Sequence, residues 1–297
     1  MAQATSFPEY LVELALQAMT LEVTCGPKPG LVDPFNTGSH QDMDQASFMR
    51  SIRAMEPHLL AYAQAGPLIA EGLGSQGHRL SSSAGRQIFS CLQKLGLAGE
   101  VASLAANKGV NCHAGLNFAW ALILPVAAYL YGQKELQPKP EAICQLVSQL
   151  AGPVYRDWQK TSGRGKAGGA RLAAAQGYRL ALDPGLVILR AWGTNSDLQE
   201  AMLLALVAIM AQNVDSNILR RGGDQALAWV QAEAQSILDR FHLQTSFPLP
   251  LSALYPDLDA FDQAMIGKNL SPGGSADLLA LAIFFYLLEA DWYKGAD

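Results

Sequence analysis

Charge is what this sequence has least of. Asp, Glu, Lys and Arg make up 16% of its 297 residues, against about 25% in an ordinary soluble domain. Hydrophobic residues supply 50%, which excludes a disordered chain, because disorder requires too little apolar surface to form a core. A basic excess is also missing. With 21 Lys and Arg against 26 Asp and Glu the net charge is −5, so the chain lacks the cationic surface with which nucleic-acid binders neutralise phosphates. Its four cysteines, Cys25, Cys91, Cys112 and Cys144, include no Cys-x-x-Cys pair and no Cys/His grouping at zinc-finger spacing. That argues for four reduced thiols rather than a disulfide framework or a structural zinc. Cys112 adjoins His113, but a nucleophilic cysteine needs its base across space, not next in sequence.

The N-terminal residues Met1 to Glu13 carry acidic Glu9 and no basic region before an apolar stretch, so they do not read as a signal peptide and the expected location is cytoplasmic. One long uncharged run exists, Ala114 to Gln133. It contains Asn117 and Pro125 and has no neighbouring Lys/Arg cluster, which favours a buried core helix over a membrane span.

What is present is helical periodicity. Ser6 and Glu9 form a capping-box pattern ahead of a helix to about Thr24. Further helical patterns fall at roughly 44–65, 83–95, 114–132, 140–160, 170–180, 196–212, 223–241, 257–267 and 275–292, with a second box at Ser196 and Gln199. No alternating, β-branched run bounded by turn signals appears. The expected architecture is all-α, a compact multi-helix bundle in one domain over 1–297, with its active site built from interhelical loops. No repeat of 30–50 residues supports a solenoid. Thr245 to Pro256, with three prolines, reads as a hinge or stiff connector.

One motif misleads. Gly163-Arg164-Gly165-Lys166-Ala167-Gly168 fits the dinucleotide pattern, but no buried strand precedes it and Ala167 stands where a phosphate loop needs Ser or Thr. Four other segments concentrate the scarce polar residues. The first runs from Lys28 through Asp33, Asn36, Gly38, His40 and Asp42 to Asp44. Asp42 and Gln45 have capping-box spacing, and the same carboxylates suit a hard cation such as Mg²⁺, which takes one or two of them beside substrate phosphates. The second is Gly109-Val110-Asn111-Cys112-His113, where Asn111 and His113 either cap the next helix or serve chemistry. The third is Asp215-Ser216-Asn217 with Arg220-Arg221-Gly222-Gly223-Asp224; arginine is the bidentate clamp for phosphate. The fourth is Asn269-Leu270-Ser271-Pro272-Gly273-Gly274-Ser275-Ala276-Asp277, a glycine loop feeding a helix N-terminus, where anions bind readily.

These four segments, in this order, resemble the triphosphoribosyl-dephospho-coenzyme A synthase family over about residues 25 to 290. The stretch 269–279 looks unaltered, and the family pattern Asn-x-Gly-x-His-x-Asp-Met-Asp is met at Asn36, Gly38, His40, Asp42, Met43 and Asp44. Asp215, Asn217, Arg221, Gly222 and Gly223 are similar to a third family element, and 109–113 to a fourth. The resemblance implies an all-α transferase acting on ATP and 3′-dephospho-coenzyme A. It joins the triphosphoribosyl group to a ribose 2′-hydroxyl and releases adenine, in making the prosthetic group of citrate lyase or malonate decarboxylase. On that reading Asp42, Asp44, Asp215 and Asp277 surround Mg²⁺-triphosphate. Lys28 and Arg221 meet phosphate oxygens. Asn36, Asn111, Arg171, Asn217, Asn269, Ser271, Gly273, Gly274 and Ser275 bind substrate. Catalysis falls to Asp42 and Asp215, with His40 or His113 handling the proton.

Two departures remove charge. Where the family carries a lysine this chain has Ala114, and where it carries a glutamate this chain has Ala173. Lys166 is a candidate replacement for the lost cation. The departures motivate two rivals: a related transferase with another acceptor, and a homologue that binds nucleotide or coenzyme A without turning it over. The sequence expects no nucleic-acid or membrane partner and is compatible with a homodimer.

Overall fold

Ser6 opens the first helix through the expected capping box: its N–H donates to Glu9 Oε2 at 2.7 Å, and Glu9 N–H returns a bond to Ser6 Oγ at 3.4 Å. The computed structural model describes residues 6–73, 82–134, 137–162, 169–193, 198–243 and 251–292. Within them the elements are α1 (Phe7–Thr24), α2 (Gln45–Gln64), α3 (Gly66–Leu73), α4 (Ser82–Ala106), α5 (Ala114–Lys134), α6 (Pro140–Ser162), α7 (Gly169–Ala175), α8 (Val187–Trp192), α9 (Leu198–Gln212), α10 (Ser216–Leu243), α11 (Tyr255–Gly267) and α12 (Gly273–Trp292). A π-helical turn, Ala181–Leu186, precedes α8, and a 3₁₀ turn, Leu251–Leu254, precedes α11. Among the described residues there is no strand, so the fold is all-α as the periodicity requires. The capping box at Ser196, the glycine-rich loop with Lys166 and the first half of the proline-rich connector lie outside the described residues.

The chain divides into two compact units. One comprises Met1–Gln17, Arg50–Arg179 and Leu287–Asp297; the other comprises Ala18–Met49 and Leu180–Tyr286. In the first, α4, α5 and α6 pack on one another, and α5 buries Trp120 and Leu122 to Leu124. Pattern reading stops α4 near 95 because glycines follow, yet the helix continues to Ala106. The glycine has a packing role: a Cβ on Gly99 would collide with the Tyr62 hydroxyl and come within 2.7 Å of Asn117 Oδ1.

In the second unit α9 is buried on every side from Ala201 to Met210, as expected of a helix that is apolar all round. Sequence reading starts the next helix at 223, whereas α10 begins at Ser216 and breaks at Gly223, with φ 69° and ψ −166°. Asn217, Arg220 and Arg221 therefore ride on a helical turn instead of a loop. Helix α8 follows Pro184 and Gly185, which mask its short pattern. The windows Ala114–Gln133 and Gly273–Ala290 are long and apolar enough to cross a membrane, and 61% of each is buried within the protein.

Candidate active site

The second unit gathers three of the four polar segments around residues 269–277. Helix α11 ends in a Schellman motif: Leu270 N–H donates to Met265 O at 3.0 Å and Asn269 N–H to Ile266 O at 2.9 Å. Asn269 holds the left-handed position, φ 54°, which asparagine tolerates better than most residues. The Arg221 guanidinium grips this corner. Its Nη1 donates to Ser39 O at 2.9 Å, to Asn269 O at 3.2 Å and to Asn269 Oδ1 at 3.1 Å.

Arg221 also fixes His40. Its Nη2 lies 3.4 Å from His40 Nδ1, while His40 Nε2 lies 2.9 Å from Ser271 Oγ. Because arginine only donates, Nδ1 accepts and the imidazole carries its proton on Nε2, donated to Ser271. Burial, and then the Arg221 charge, lower the His40 pKa from the ordinary value, so the ring is neutral at pH 7. Asp42 stands outside this group, exposed, with its Oδ1 3.8 Å from Nδ1.

The capping role expected of Asp42 belongs to Asp44. Asp44 Oδ1 accepts the Ser47 N–H at 2.8 Å and the Ser47 hydroxyl at 2.7 Å at the start of α2. Asp215 caps two helices at once. Its Oδ1 accepts Asn217 N–H at 2.9 Å in α10, and its Oδ2 accepts Ser275 N–H at 2.9 Å and Ser275 Oγ–H at 3.2 Å in α12. Burial raises the Asp215 pKa and these bonds oppose the rise. Gly273 and Gly274 leave room for this approach: a Cβ on Gly274 would sit 3.1 Å from Asp215 Oδ2, and one on Gly273 would sit 2.7 Å from Asn217 Nδ2. Ser275, expected on substrate, is one of the residues that Asp215 caps.

Asp277 differs from the other carboxylates. It is partly exposed, and its pKa is raised well above the usual range by desolvation, then by the negative charges of Glu22 and Asp215. Glu22 went unnoticed in the sequence because it lies inside the regular α1 pattern. It holds Lys28: the ammonium donates to Glu22 Oε1 at 2.5 Å and to Glu22 O at 2.6 Å, with both side chains buried. Lys28, expected on phosphate, is thus an internal counter-ion here. Asp33 organises the same loop, accepting Lys28 N–H at 2.8 Å on one oxygen and Phe35 and Asn36 N–H at 2.8 and 3.0 Å on the other.

Among the described residues no group of three or more His, Cys, Asp or Glu side chains could hold a metal ion. The four aspartates expected around Mg²⁺ are accordingly separate in role: Asp44 and Asp215 cap helices, Asp42 faces solvent, and Asp277 sits near Glu22. Asp277 still fits the looser requirement of a Mg²⁺ carried by a polyphosphate, which needs only one or two protein carboxylates, since a cation would relieve the repulsion that raises its pKa.

Asn111, His113 and Arg171 belong to the first unit. Asn111 Oδ1 accepts Ala114 N–H at 2.9 Å and so caps α5. Buried His113 places Nδ1 2.7 Å from Ser51 Oγ, which is 2.6 Å from Ser103 Oγ. Arg171 lies over the Trp158 ring, 5.6 Å from its centroid, and lines a cavity of about 290 Å³ together with Ala114, Phe89, Phe118 and Leu122. None of the four cysteines is in a disulfide. Burial pushes the Cys25 thiol up to about 12 and raises Cys144 as well.

An all-helical scaffold that brings an arginine, a neutral imidazole and glycine backbone to one loop corner, with a carboxylate of raised pKa on the helix that follows, has parts suited to polyphosphate chemistry. The chain belongs to the ATP:dephospho-CoA triphosphoribosyl transferase family, whose model matches residues 8–295. It is 37% identical over 281 residues to a 2-(5''-triphosphoribosyl)-3'-dephosphocoenzyme-A synthase of Pectobacterium atrosepticum, covering 91% of this chain and 86% of that one. Proteins named as probable enzymes of the same type are 37% identical in Pectobacterium carotovorum, over 92% of this chain and 87% of the relative, and 36% identical in Albidiferax ferrireducens, over 96% and 93%. No solved structure matches the chain.

Proposed function

We propose that the protein transfers the 5-triphosphoribosyl group of ATP to the ribose 2′-hydroxyl of 3′-dephospho-coenzyme A, releasing adenine. The observation that carries this reading is the family match over residues 8–295. The corner formed by Arg221, Asn269, Ser271 and the Gly273–Gly274 backbone supports it.

Breaking the bond from ribose C1 to adenine builds positive charge on the sugar, while the acceptor hydroxyl must lose a proton. A carboxylate whose pKa is raised is the stronger base when ionised and can take that proton, while adenine departs with the C1–N electron pair and gains a proton from solvent; Asp277, partly exposed and with its pKa raised by burial and neighbouring negative charge, is the candidate. Mg²⁺ carried by the triphosphate would neutralise phosphate charge, with phosphate oxygens and water as most of its ligands, since Glu22 is already paired with Lys28. Arg220, exposed on α10 beside Arg221, offers charge to phosphate. His40 is held as a donor to Ser271 and orients that hydroxyl. Neither His40 nitrogen is open in this arrangement, so it serves as a positioning group and leaves the base role to Asp277. The burial within the protein of 61% of each membrane-length window supports a cytoplasmic enzyme.

The direct test is to incubate the purified protein with ATP, Mg²⁺ and 3′-dephospho-coenzyme A and to follow free adenine by chromatography. Adenine is expected only when the acceptor is present. ATP binding without adenine would overturn the reading in favour of a binding-only homologue, the outcome that Ala114 and Ala173 would then explain. Adenine with a different acceptor would redirect it to a related transferase.

A further inference from the structure

We infer that Asp262, which no sequence motif singles out, is a positioning residue of the transferase site: from within α11 it sets the Gly30–His40 loop, and through that loop the imidazole of His40. The inference rests on the reading of the site given above.

Asp262 is buried, and each of its oxygens has one defined task. Oδ1 accepts Gly30 N–H at 2.8 Å, and Oδ2 accepts Asn36 Nδ2 at 3.0 Å. Asn36 passes the constraint on, its Oδ1 accepting Gly38 N–H at 2.6 Å. The two backbone donors belong to glycines with positive φ, 70° at Gly30 and 54° at Gly38. These are the two bends that shape the loop, and no helix or sheet ladder holds either one. The next residues deliver the result: Ser39 N–H donates to Gly30 O at 3.2 Å, Ser39 Oγ donates to Leu270 O at 2.6 Å, and His40 then meets Ser271. Moving either bend displaces His40 from both Ser271 and Arg221.

The hydrogen-bond chain has a direction that makes it testable. In Asp262→Asn the new amide has one acceptor and one donor. If its oxygen keeps Gly30, its NH₂ faces the NH₂ of Asn36; turning Asn36 over then leaves Gly38 N–H facing an NH₂. Every arrangement leaves one donor without an acceptor. The reciprocal double variant Asn36→Asp/Asp262→Asn repairs all three bonds at unchanged net charge, because the amide at 262 donates to the carboxylate now at 36, which also accepts Gly38 N–H.

Two readouts should be combined: kcat and KM for ATP in the adenine-release assay, and hydrogen–deuterium exchange over residues 28–40. For Asp262→Asn, exchange in this segment should accelerate while that of α9 stays as in the wild type. Its kcat should fall about 100-fold, the scale of a misplacement of about 1 Å at a reacting centre, with the smaller share of the effect in KM. The double variant should restore slow exchange and recover about tenfold or more of the lost kcat. A double variant no better than Asp262→Asn, or a single variant with unchanged loop exchange, overturns the inference. If the wild type itself releases no adenine, the functional reading fails separately, and the exchange data alone decide whether the 262–36 pair sets the loop.

Discussion

A single carboxylate illustrates how this site sets function against stability. Asp277 has its pKa raised by desolvation, Glu22 and Asp215, so the folded protein holds that proton more tightly than the unfolded chain, whose aspartates titrate near about 3.9. Above that pH the ionised group therefore costs folding stability, and the cost grows until the folded pKa is passed. Asp277→Asn should raise the melting temperature at pH 7 to 8, with the gain vanishing below about pH 4, while abolishing adenine release. Differential scanning fluorimetry across pH reads the first effect; a lowered melting temperature at pH 7 would make Asp277 a structural anchor instead. The segment containing Asp277 was legible as a motif from sequence, but the division of labour among the aspartates was not. Asp42 and Asp44 have nearly the same local context, and only the Ser47 contacts distinguish the cap. Asp215 meets Ser275 60 positions later. Asp262 left one trace: it is a charge on the face of α11 that otherwise buries Leu258, Phe261 and Met265. A carboxylate at a core position requires buried donors, and that was the signal available.

At the scale of elements, periodicity located the long helices because their apolar faces are sorted. It failed where glycine means close approach rather than a break, as at Gly99 in α4, and where a bend interrupts a helix, as at Gly223 in α10. The same distinction separates two glycines at the site. A Cβ on Gly30 would strike the backbone oxygen of Leu270, at a residue with φ 70°. Gly30→Ala should therefore destabilise the protein by more than about 1 kcal/mol in urea unfolding. A Cβ on Gly273 meets only the end of the Asn217 side chain, which can rotate away. Gly273→Ala should leave the unfolding midpoint close to the wild-type value and lower adenine release, because Asn217 loses its place beside the α12 N-terminus. Equal stability losses in the two variants would contradict this assignment.

For the whole molecule, the shortage of charge that marks the composition also governs encounter with substrate. A net charge of −5 gives no long-range attraction for an anionic nucleotide, so recognition must rest on contacts shorter than the Debye length of about 10 Å at 0.1 M salt. The KM for ATP should change by less than about threefold between 0.05 and 0.5 M salt, where a protein relying on electrostatic steering would show a steep dependence; titration of the adenine-release rate against salt measures it. The separation in sequence of the groups that build the site has a further result during synthesis. Gly30 and its anchor Asp262 lie 232 residues apart, and a ribosome adding about 5–20 residues per second needs roughly 12–46 s to travel between them. Throughout that interval the emerging loop has Asp33 and Lys28 to shape it but no anchor to receive it, so the active corner is finished only after α11 has been made.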